Sequence, residues 1–155
     1  MTPTRRTWLF QANPARYRIE DSLRQEGGEL WNLMQHADKV REGDRVLIWI
    51  SGSEAGVYAV GTVLGDPEMQ ADSPEGQAYW TNAKDGTRLR QRVPVRYDRS
   101  LAERPLLKAY LVHDPELDGL SVIRQPRGTN FPVTDAEWSA ISRWLREGDA
   151  LAAAE

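Results

Sequence analysis

The chain has 155 residues, a length typical of one domain that buries its own hydrophobic core. Hydrophobic residues make up 40% of it and charged residues 28%, and no apolar run approaches the roughly 18 residues of a membrane span, so membrane-spanning and disordered classes are not expected. The absence of cysteine excludes disulfides, a thiol nucleophile and thiolate-bound metals. With only two histidines as well, we expect no metal site and no cofactor.

The charge balance bears on nucleic-acid binding. The net charge of -3 does not favour a large, sequence-independent electrostatic contact, although it leaves room for a local basic patch. All but three of the cationic residues are arginine, and six residues are tryptophan, so planar hydrogen-bond donors and flat apolar faces are both abundant. No apolar segment follows the N-terminal arginines, and we therefore expect no signal peptide and a cytoplasmic location.

The first half of the chain predicts three strands and a short helix. Residues 7–11 indicate a strand, and residues 19–25 a helix that ends before a Gly-Gly pair. The continuous apolar run at 46–50 is typical of a strand buried on both faces, which we expect at the centre of the sheet. Residues 57–64 return as the second strand of a hairpin, with Gly61 marking a bulge or a bend.

A charged extended segment follows a polar stretch. Residues 65–76 are polar and contain two prolines, so we expect a loop there. Residues 89–97 alternate apolar side chains with arginines, and a period of two places one set towards the core and the other on the opposite face. The arginines predicted to project together from that face are Arg88, Arg90, Arg92 and Arg96.

The last third of the chain predicts a short helix, a short strand and a longer helix. Residues 104–111 favour the first helix and residues 120–123 the strand. The longer helix begins with a capping box at Thr134 and is expected to stop at Gly148. Residues 149–155 are then a frayed tail, and residues 1–148 form one domain.

Together these elements predict an α+β fold. The helices do not alternate regularly with the strands, which argues against a doubly wound parallel sheet. We expect a small, twisted, mostly antiparallel β-barrel of five to six strands, flanked by short α-helices.

The sequence contains no signature of a known catalytic site. It lacks a nucleophile elbow, a phosphate-binding loop, a dinucleotide fingerprint and a zinc-protease motif. His36 and His113 have no recognisable partner and are interpreted as surface or capping residues rather than catalytic bases. We therefore predict a protein that is not an enzyme.

Two tryptophans occur at turns rather than inside periodic segments. Trp31 follows the Gly-Gly pair and Trp80 follows the polar stretch, so either ring could line a cleft, with core packing as the alternative. Trp8, Trp49 and Trp138 fall in periodic apolar segments and are assigned to the core.

An ordered series of short segments resembles the EVE domain family. Its members here begin at residues 8–14, continue through Trp31, residues 43–52 and 56–61, and end in the Gly-Thr-Asn-Phe-x-x-Thr segment at 128–134. The resemblance covers residues 7 to 144. It implies a PUA-like twisted β-barrel related to the YTH readers of methylated adenine in RNA.

The resemblance also implies a pocket that accepts one flipped, modified nucleobase between aromatic walls. Trp31 and Trp80 would be the walls. The remaining residues implied for the pocket are a base-edge donor or acceptor, floor residues and a second aromatic residue: Asn13, Ser51, Gly52 and Tyr17. From the residues alone, Asn13 and the Ser51-Gly52 pair are only turn formers.

Phosphate contacts are expected from two arginine groups. Arg124 and Arg127 lie immediately before the Gly-Thr-Asn segment. Arg88 and Arg90 belong to the arginine face of the extended segment, which could guide a nucleic-acid backbone or could be an ordinary solvated strand surface.

The sequence analysis therefore favours a non-catalytic module that reads a modified base in DNA or RNA. Two alternatives stay open: an RNA-processing enzyme of PUA-like type, although the Gly-x-Lys-x-x-Glu-x-Arg motif of the ASCH branch is absent, and a module that binds a free nucleoside or other small molecule. The expected partners are modified DNA or RNA, with a separate effector protein left open and no membrane. We expect a monomer.

Overall fold

A single curled sheet organises the computed structural model, which describes residues 5–154. The strands of this part of the chain are β1 (Thr7–Ala12), β2 (Gly28–Asn32), β3 (Arg45–Ile50), β4 (Gly56–Val63), β5 (Glu68–Gln70), β6 (Arg90–Ser100), β7 (Leu106–Leu107) and β8 (Asn130–Val133). The helices are α1 (Ile19–Gln25), α2 (Pro74–Gln77), α3 (Ala83–Thr87), α4 (Lys108–Leu111), α5 (Ser121–Arg124) and α6 (Asp135–Ala154).

The strand order confirms the predicted fold class. The main path of the sheet runs β2-β6-β4-β3-β1-β8, with β5 beside β6 and β7 beside β4. Strands β1 and β3 pair in parallel, and the other pairs are antiparallel. The six strands of the path match the predicted number, and the short β5 and β7 add to them.

Strand β3 is central and buried on both faces, as its apolar run predicts. Its alternate side chains enter two different cores: Ile48 belongs to the one that includes α1, whereas Leu47 and Trp49 belong to the one that α6 covers. Trp8 and Trp49 are both 2% exposed, which confirms their assignment to the core. Trp138 is half-buried and lies against the guanidinium group of Arg45.

Gly61 forms the predicted irregularity in β4. The pairing of β4 with β6 shifts register between Val60 and Gly61. A Cβ atom on Gly61 would lie 2.5 Å from the carbonyl oxygen of Arg96, a distance that no side chain tolerates. Glycine is therefore required there by the close approach of β6.

Helix α6 begins as predicted and ends later. The backbone N–H of Glu137 donates to Thr134 Oγ1 and that of Thr134 donates to Glu137 Oε1, which confirms the capping box. The helix continues through Gly148 to Ala154, so the predicted stop is wrong. One glycine costs a helix only about 1 kcal/mol, and the ion pair between Asp149 and Arg99 lies just beyond it.

Three short segments differ from their predictions. Residues 120–123 are not a strand, because the N–H groups of Ile123 and Arg124 bond back to Leu120 in the single turn of α5. Within 104–111 only α4 is helical, since β7 pairs with β4 first. The predicted loop at 65–76 contains β5 and the start of α2.

The side chains of Asn130 and Gln35 connect β8 to the chain that follows β2, the two strands at opposite ends of the sheet path. Asn130, at the start of β8, accepts hydrogen bonds from the N–H groups of Met34 and Gln35 and donates to the carbonyl of Asn32. Gln35 Oε1 accepts in return from the N–H groups of Thr129 and Asn130. The chain that leaves β2 is therefore held to β8 by amide side chains rather than by strand pairing.

We expect Asn130→Ala to lower the free energy of unfolding by about 3 kcal/mol, because it leaves two backbone donors and one acceptor without their partner at a residue that is 2% exposed. Urea denaturation measures the change. Asn82→Ala is the control, since Asn82 only caps the exposed start of α3 and its loss should cost about 1 kcal/mol. Equal losses in the two variants would contradict the joining role of Asn130.

Candidate functional site

A cavity of about 390 Å³ opens where the end of β1 approaches β2, and we call it the first cavity. Its walls come from four separate parts of the chain: residues 11–17, 30–34, 80–90 and 126–129, with Ser51 added from the β3–β4 turn. A volume of this size is at the lower end of ordinary ligand pockets.

The structure brings most of the sequence-predicted site residues to this cavity. Five of the six predicted base-site residues line it: Asn13, Tyr17, Trp31, Ser51 and Trp80. The predicted phosphate-contacting residues Arg90 and Arg127 line it as well. Gly52, Arg88 and Arg124 do not belong to its lining; Gly52 and Arg88 are exposed, and Arg124 lines a neighbouring cavity.

Trp80 is a half-buried wall of the first cavity. Its indole N–H donates to Asp72 Oδ2 across 2.7 Å, and its ring lies 4.7 Å from the ring of Tyr17 at an angle of 59°. A backbone bridge between Tyr17 and Trp80 fixes the two residues side by side. The position of the indole is therefore set by backbone pairing, ring contact and one hydrogen bond.

Trp31 belongs mainly to the core. It is 7% exposed, its ring lies 6.1 Å from that of Phe10, and its N–H donates to the hydroxyl of Tyr97 across 2.9 Å. The remaining edge of the ring lines the cavity. The two indoles thus belong to different ring pairs, Trp31 with Phe10 and Trp80 with Tyr17.

The half-buried carboxylate of Glu29 lies between two tyrosines that contact the two tryptophans. Glu29 accepts hydrogen bonds from the hydroxyls of Tyr17, Tyr97 and Ser22, and the Tyr97 hydroxyl in turn accepts from Trp31. Burial raises the pKa of Glu29, and burial together with the Glu29 carboxylate raises the pKa values of Tyr17 and Tyr97. Glu29 thus holds Tyr17, which lies against Trp80, and Tyr97, which accepts the hydrogen bond of Trp31.

We expect the stabilising effect of Glu29 to fall as the pH rises. A carboxyl group whose pKa is raised by folding contributes stability below its unfolded pKa of about 4.3, and that contribution is lost as the pH rises through the folded pKa. Because glutamine does not titrate, the free energy of unfolding of the wild type relative to Glu29→Gln should be highest near pH 4 and decrease towards pH 7. Urea denaturation at several pH values measures this; an increase with pH would contradict it.

The predicted arginine face is wrong at Arg92. Arg92 is fully buried, and its guanidinium group donates to the carbonyls of Gln70, Asp85 and Arg88 and lies 3.9 Å from Asp72. The period of two places it on the predicted side of β6, but Gln70 of β5, Asp72 and Asp85 of α3 surround its guanidinium group there. Burial lowers its pKa.

The other arginines of that segment do not act as one group. Arg90 lines the first cavity and donates to the sulfur of Met34, whereas Arg96 pairs with Asp98 on the exposed end of β6. Arg88 is exposed at the end of α3. A contiguous cationic stripe is therefore not present on this strand.

Small polar groups complete the first cavity. Asn13 Oδ1 accepts from the N–H of Ala15 in a turn, and its Nδ2 has no partner within residues 5–154. The Ser51 hydroxyl donates to the carbonyl of Ala12 across 3.3 Å, and its oxygen can still accept a hydrogen bond. Both residues offer hydrogen bonds to a planar polar ligand.

Sequence reasoning missed several lining residues. Asn32 Oδ1 is buried without a hydrogen-bond partner in the described part of the chain, and the buried Asp85 pairs with the exposed Arg16 across 3.4 Å. Gln11, Leu30 and Met34 also line the cavity and were not predicted. The adjacency of Asn32 to Trp31 was a usable signal, whereas nothing in the sequence marks Asp85.

A second cavity, of about 630 Å³, lies next to the first. Residues 126–128 line both cavities, and Arg124 lines only the second. His36 lies in its wall with φ of 60°, the left-handed region that non-glycine residues rarely adopt. Residues 126–128 thus form a wall that both cavities share, and we call it the partition.

Two features are absent from the part of the chain that the structure describes. No helix within residues 5–154 is long and apolar enough to cross a membrane. In the same part of the chain, no three histidine, aspartate or glutamate side chains are grouped so that they could hold a metal ion.

Comparisons with solved structures show the fold. A hypothetical protein from Leishmania major is 20% identical with a TM-score of 0.69, over 94% of this chain and 98% of that one. The protein Atu2648 from Agrobacterium tumefaciens is 20% identical with a TM-score of 0.64, over 90% and 92%. Human THYN1, solved in complex with 5-methylcytosine-containing DNA, is 16% identical with a TM-score of 0.60, over 88% and 95%.

The sequence comparisons identify the family. A search of curated proteins finds no match. The profile of the EVE domain matches residues 6–144, which is nearly the whole chain and the region over which the sheet and both cavities are built. The chain therefore belongs to the EVE domain family.

Proposed function

We propose that this EVE domain binds one flipped, modified nucleobase of DNA or RNA in the first cavity and catalyses no reaction on it. The observation that carries the proposal is a cavity of about 390 Å³ lined by Trp80, Tyr17 and Trp31 together with the polar side chains of Asn13, Ser51 and Asp85. The structural likeness to human THYN1, solved with 5-methylcytosine-containing DNA, supports it.

Stacking alone does not hold a flipped base. Extruding a base from a duplex costs a few kcal/mol, and stacking on one aromatic face returns about 1–3 kcal/mol. The balance becomes favourable when the base edge also makes hydrogen bonds inside the cavity. Asn13 Nδ2 supplies a donor for that edge, and the Ser51 hydroxyl oxygen supplies an acceptor.

The free acceptors in the lining favour bases with an exocyclic amino group. The Asp85 carboxylate lines the cavity and accepts only from Arg16 among the described side chains. An amino group of cytosine or adenine would donate to this carboxylate, whereas a carbonyl oxygen of thymine or uracil at the same place would not. We therefore propose that the ligand is a modified cytosine or adenine.

The modification is sensed through apolar space. Leu30 and Met34 line the cavity beside the aromatic rings and offer methyl and thioether surface. One additional methyl group in such surroundings is worth about 1–3 kcal/mol, so we expect discrimination of roughly 5- to 150-fold rather than an absolute preference.

The lining of the first cavity has few of the side chains that a nuclease uses as acid, base or nucleophile. Its lining contains no histidine or lysine among the described residues, and its one carboxylate, Asp85, is paired with Arg16. Acid–base catalysis needs a side chain that is free to accept a proton from the substrate, and the described lining offers none that is unpaired. A binding role therefore fits the lining better.

Titration of labelled single-stranded oligonucleotides tests the proposal. Each carries one central base: 5-methylcytosine, 5-hydroxymethylcytosine, N6-methyladenine, or an unmodified base including thymine and uracil, in DNA and RNA. We expect one modified cytosine or adenine to bind at least fivefold more tightly than its unmodified parent, measured by fluorescence anisotropy. Equal affinity across the series contradicts base reading, and tight binding of the free modified nucleoside with no gain from the strand favours a small-molecule role.

A further inference from the structure

Hydrogen bonds and close packing hold the partition between the two cavities in place. Gln11 Nε2, at the end of β1, donates to the carbonyls of Pro126 and Gly128 across 2.9 Å and 2.7 Å. A Cβ atom on Gly128 would lie 2.7 Å from the ring of Phe131, so the partition approaches that ring as closely as a backbone can. Residues 126–128 therefore have a fixed position between the two openings.

The second cavity differs from the rest of the surface in charge. The chain as a whole has a net charge of -3, yet the described lining of this cavity holds two arginines, Arg124 and Arg127, and no carboxylate. The other polar side chains of the lining are uncharged hydrogen-bonding groups and one imidazole: Gln35, His36, Ser121, Gln125 and Asn130. Such a lining suits an anionic ligand that also carries hydrogen-bonding groups.

The opposite wall of the second cavity is also held in place. Gln35 and Asn130 bond reciprocally to each other's backbone, which fixes the chain immediately before His36. His36 adopts φ of 60° at this point and lies 5.3 Å from the ring of Trp8. Left-handed backbone at a non-glycine residue is costly and persists where the surroundings enforce it, often at binding sites.

We propose that the second cavity binds the nucleotide adjacent to the flipped one, with the linking phosphodiester passing the partition at Arg127. This inference rests on the proposed function, since it assumes that the flipped base occupies the first cavity. Arg127 lines both cavities and is exposed, so one phosphate beside it would connect the two ligand units. Arg124, which lines only the second cavity, then contacts the adjacent nucleotide.

A ligand series tests the two-nucleotide site, in both the deoxyribose and ribose forms. The preferred modified base is offered as its nucleoside monophosphate and as two dinucleotides. One dinucleotide carries an unmodified nucleotide on the 5′ side, and the other carries the same nucleotide on the 3′ side. Because the second cavity lies on one side of the partition, we expect about tenfold tighter binding from one extension and little from the other, measured by isothermal titration calorimetry. No gain from either extension, or equal gains from both, would overturn the inference.

Two arginine variants assign the gain to the second cavity. Arg124→Ala should remove most of the gain from extension while leaving monophosphate binding unchanged. Arg146→Ala is the matched control, since Arg146 is exposed and lines neither cavity. Equal effects of the two variants would overturn the inference.

The failures of the two proposals are distinguishable. If the modified monophosphate binds normally and neither extension improves it, the first cavity keeps its proposed function and the second loses its role. If no modified monophosphate or oligonucleotide binds, the proposed function itself fails and the inference fails with it.

Discussion

Replacing Trp80 by alanine should weaken binding of the modified oligonucleotide by about 5- to 150-fold. Trp80 is half-buried against Tyr17 and lines the first cavity, so its indole face is the aromatic surface most available for stacking. Removal of one stacking face costs about 1–3 kcal/mol per base, which corresponds to that range. Titration of the labelled oligonucleotide measures the change in dissociation constant.

Trp144 provides a matched control for this experiment. It is also half-buried, and its indole N–H also donates to an aspartate, Asp114, across 2.9 Å. It packs against the core that α6 covers and does not line the first cavity. Trp144→Ala should therefore cost stability without weakening binding. A loss of affinity as large as that of Trp80→Ala would mean that the effect comes from folding, and the role of Trp80 as a stacking wall would be wrong.

Replacing Arg92 by methionine should produce a large loss of stability, about 3–5 kcal/mol or roughly 10 °C in melting temperature. The substitution leaves the carbonyls of Gln70, Asp85 and Arg88 without their donor. It also leaves the buried Asp72 without its cationic neighbour, and burial already raises the pKa of Asp72. Thermal unfolding followed by circular dichroism measures the loss.

Arg96→Met is the control for Arg92→Met, because Arg96 has the same orientation on β6 but is exposed and pairs with Asp98 there. An exposed ion pair contributes at most about 1 kcal/mol, so this variant should remain close to the wild type. A second variant, Arg92→Met combined with Asp72→Asn, should recover part of the loss by removing the unpaired buried charge. Similar stabilities of Arg92→Met and Arg96→Met would contradict the structural role of Arg92.

Arg92 also shows where sequence reasoning about the sheet stopped. The alternation at 89–97 places Arg92 correctly on the face opposite the core, because a period of two is a property of the strand itself. Whether that face meets solvent depends on β5, which lies within the predicted loop at 65–76, and on α3, which follows that loop and was not predicted. The cover consists of short elements whose formation depends on tertiary contacts, and a local pattern does not reveal them.

The strands themselves were predictable where their pattern was strong. The apolar run of β3 shows that it is central, whereas β2 was missed because it follows a Gly-Gly pair and mixes a glutamate with its apolar residues. That glutamate is the half-buried Glu29, which three hydroxyl groups surround in the folded protein. A glutamate at an apolar position disrupts the pattern that would identify its strand.

The candidate site could be predicted in part, and by resemblance rather than by pattern. Asn13, Ser51 and Trp80 have ordinary turn or core interpretations, and only their ordered match to a family points to a shared cavity. Asp85 and Asn32 come from elements that the sequence did not predict, α3 and the end of β2. Their role depends on a meeting of distant segments that no short motif encodes.

The position of β1 between β3 and β8 has a consequence for protein synthesis. Because the ribosome makes the chain from its N-terminus, β1 can pair with β3 early, but its other edge stays empty until residues 130–133 have been translated. The same late segment supplies the partition at 126–128. We therefore expect chains truncated before residue 126 not to bind the modified oligonucleotide, which the same titration would check.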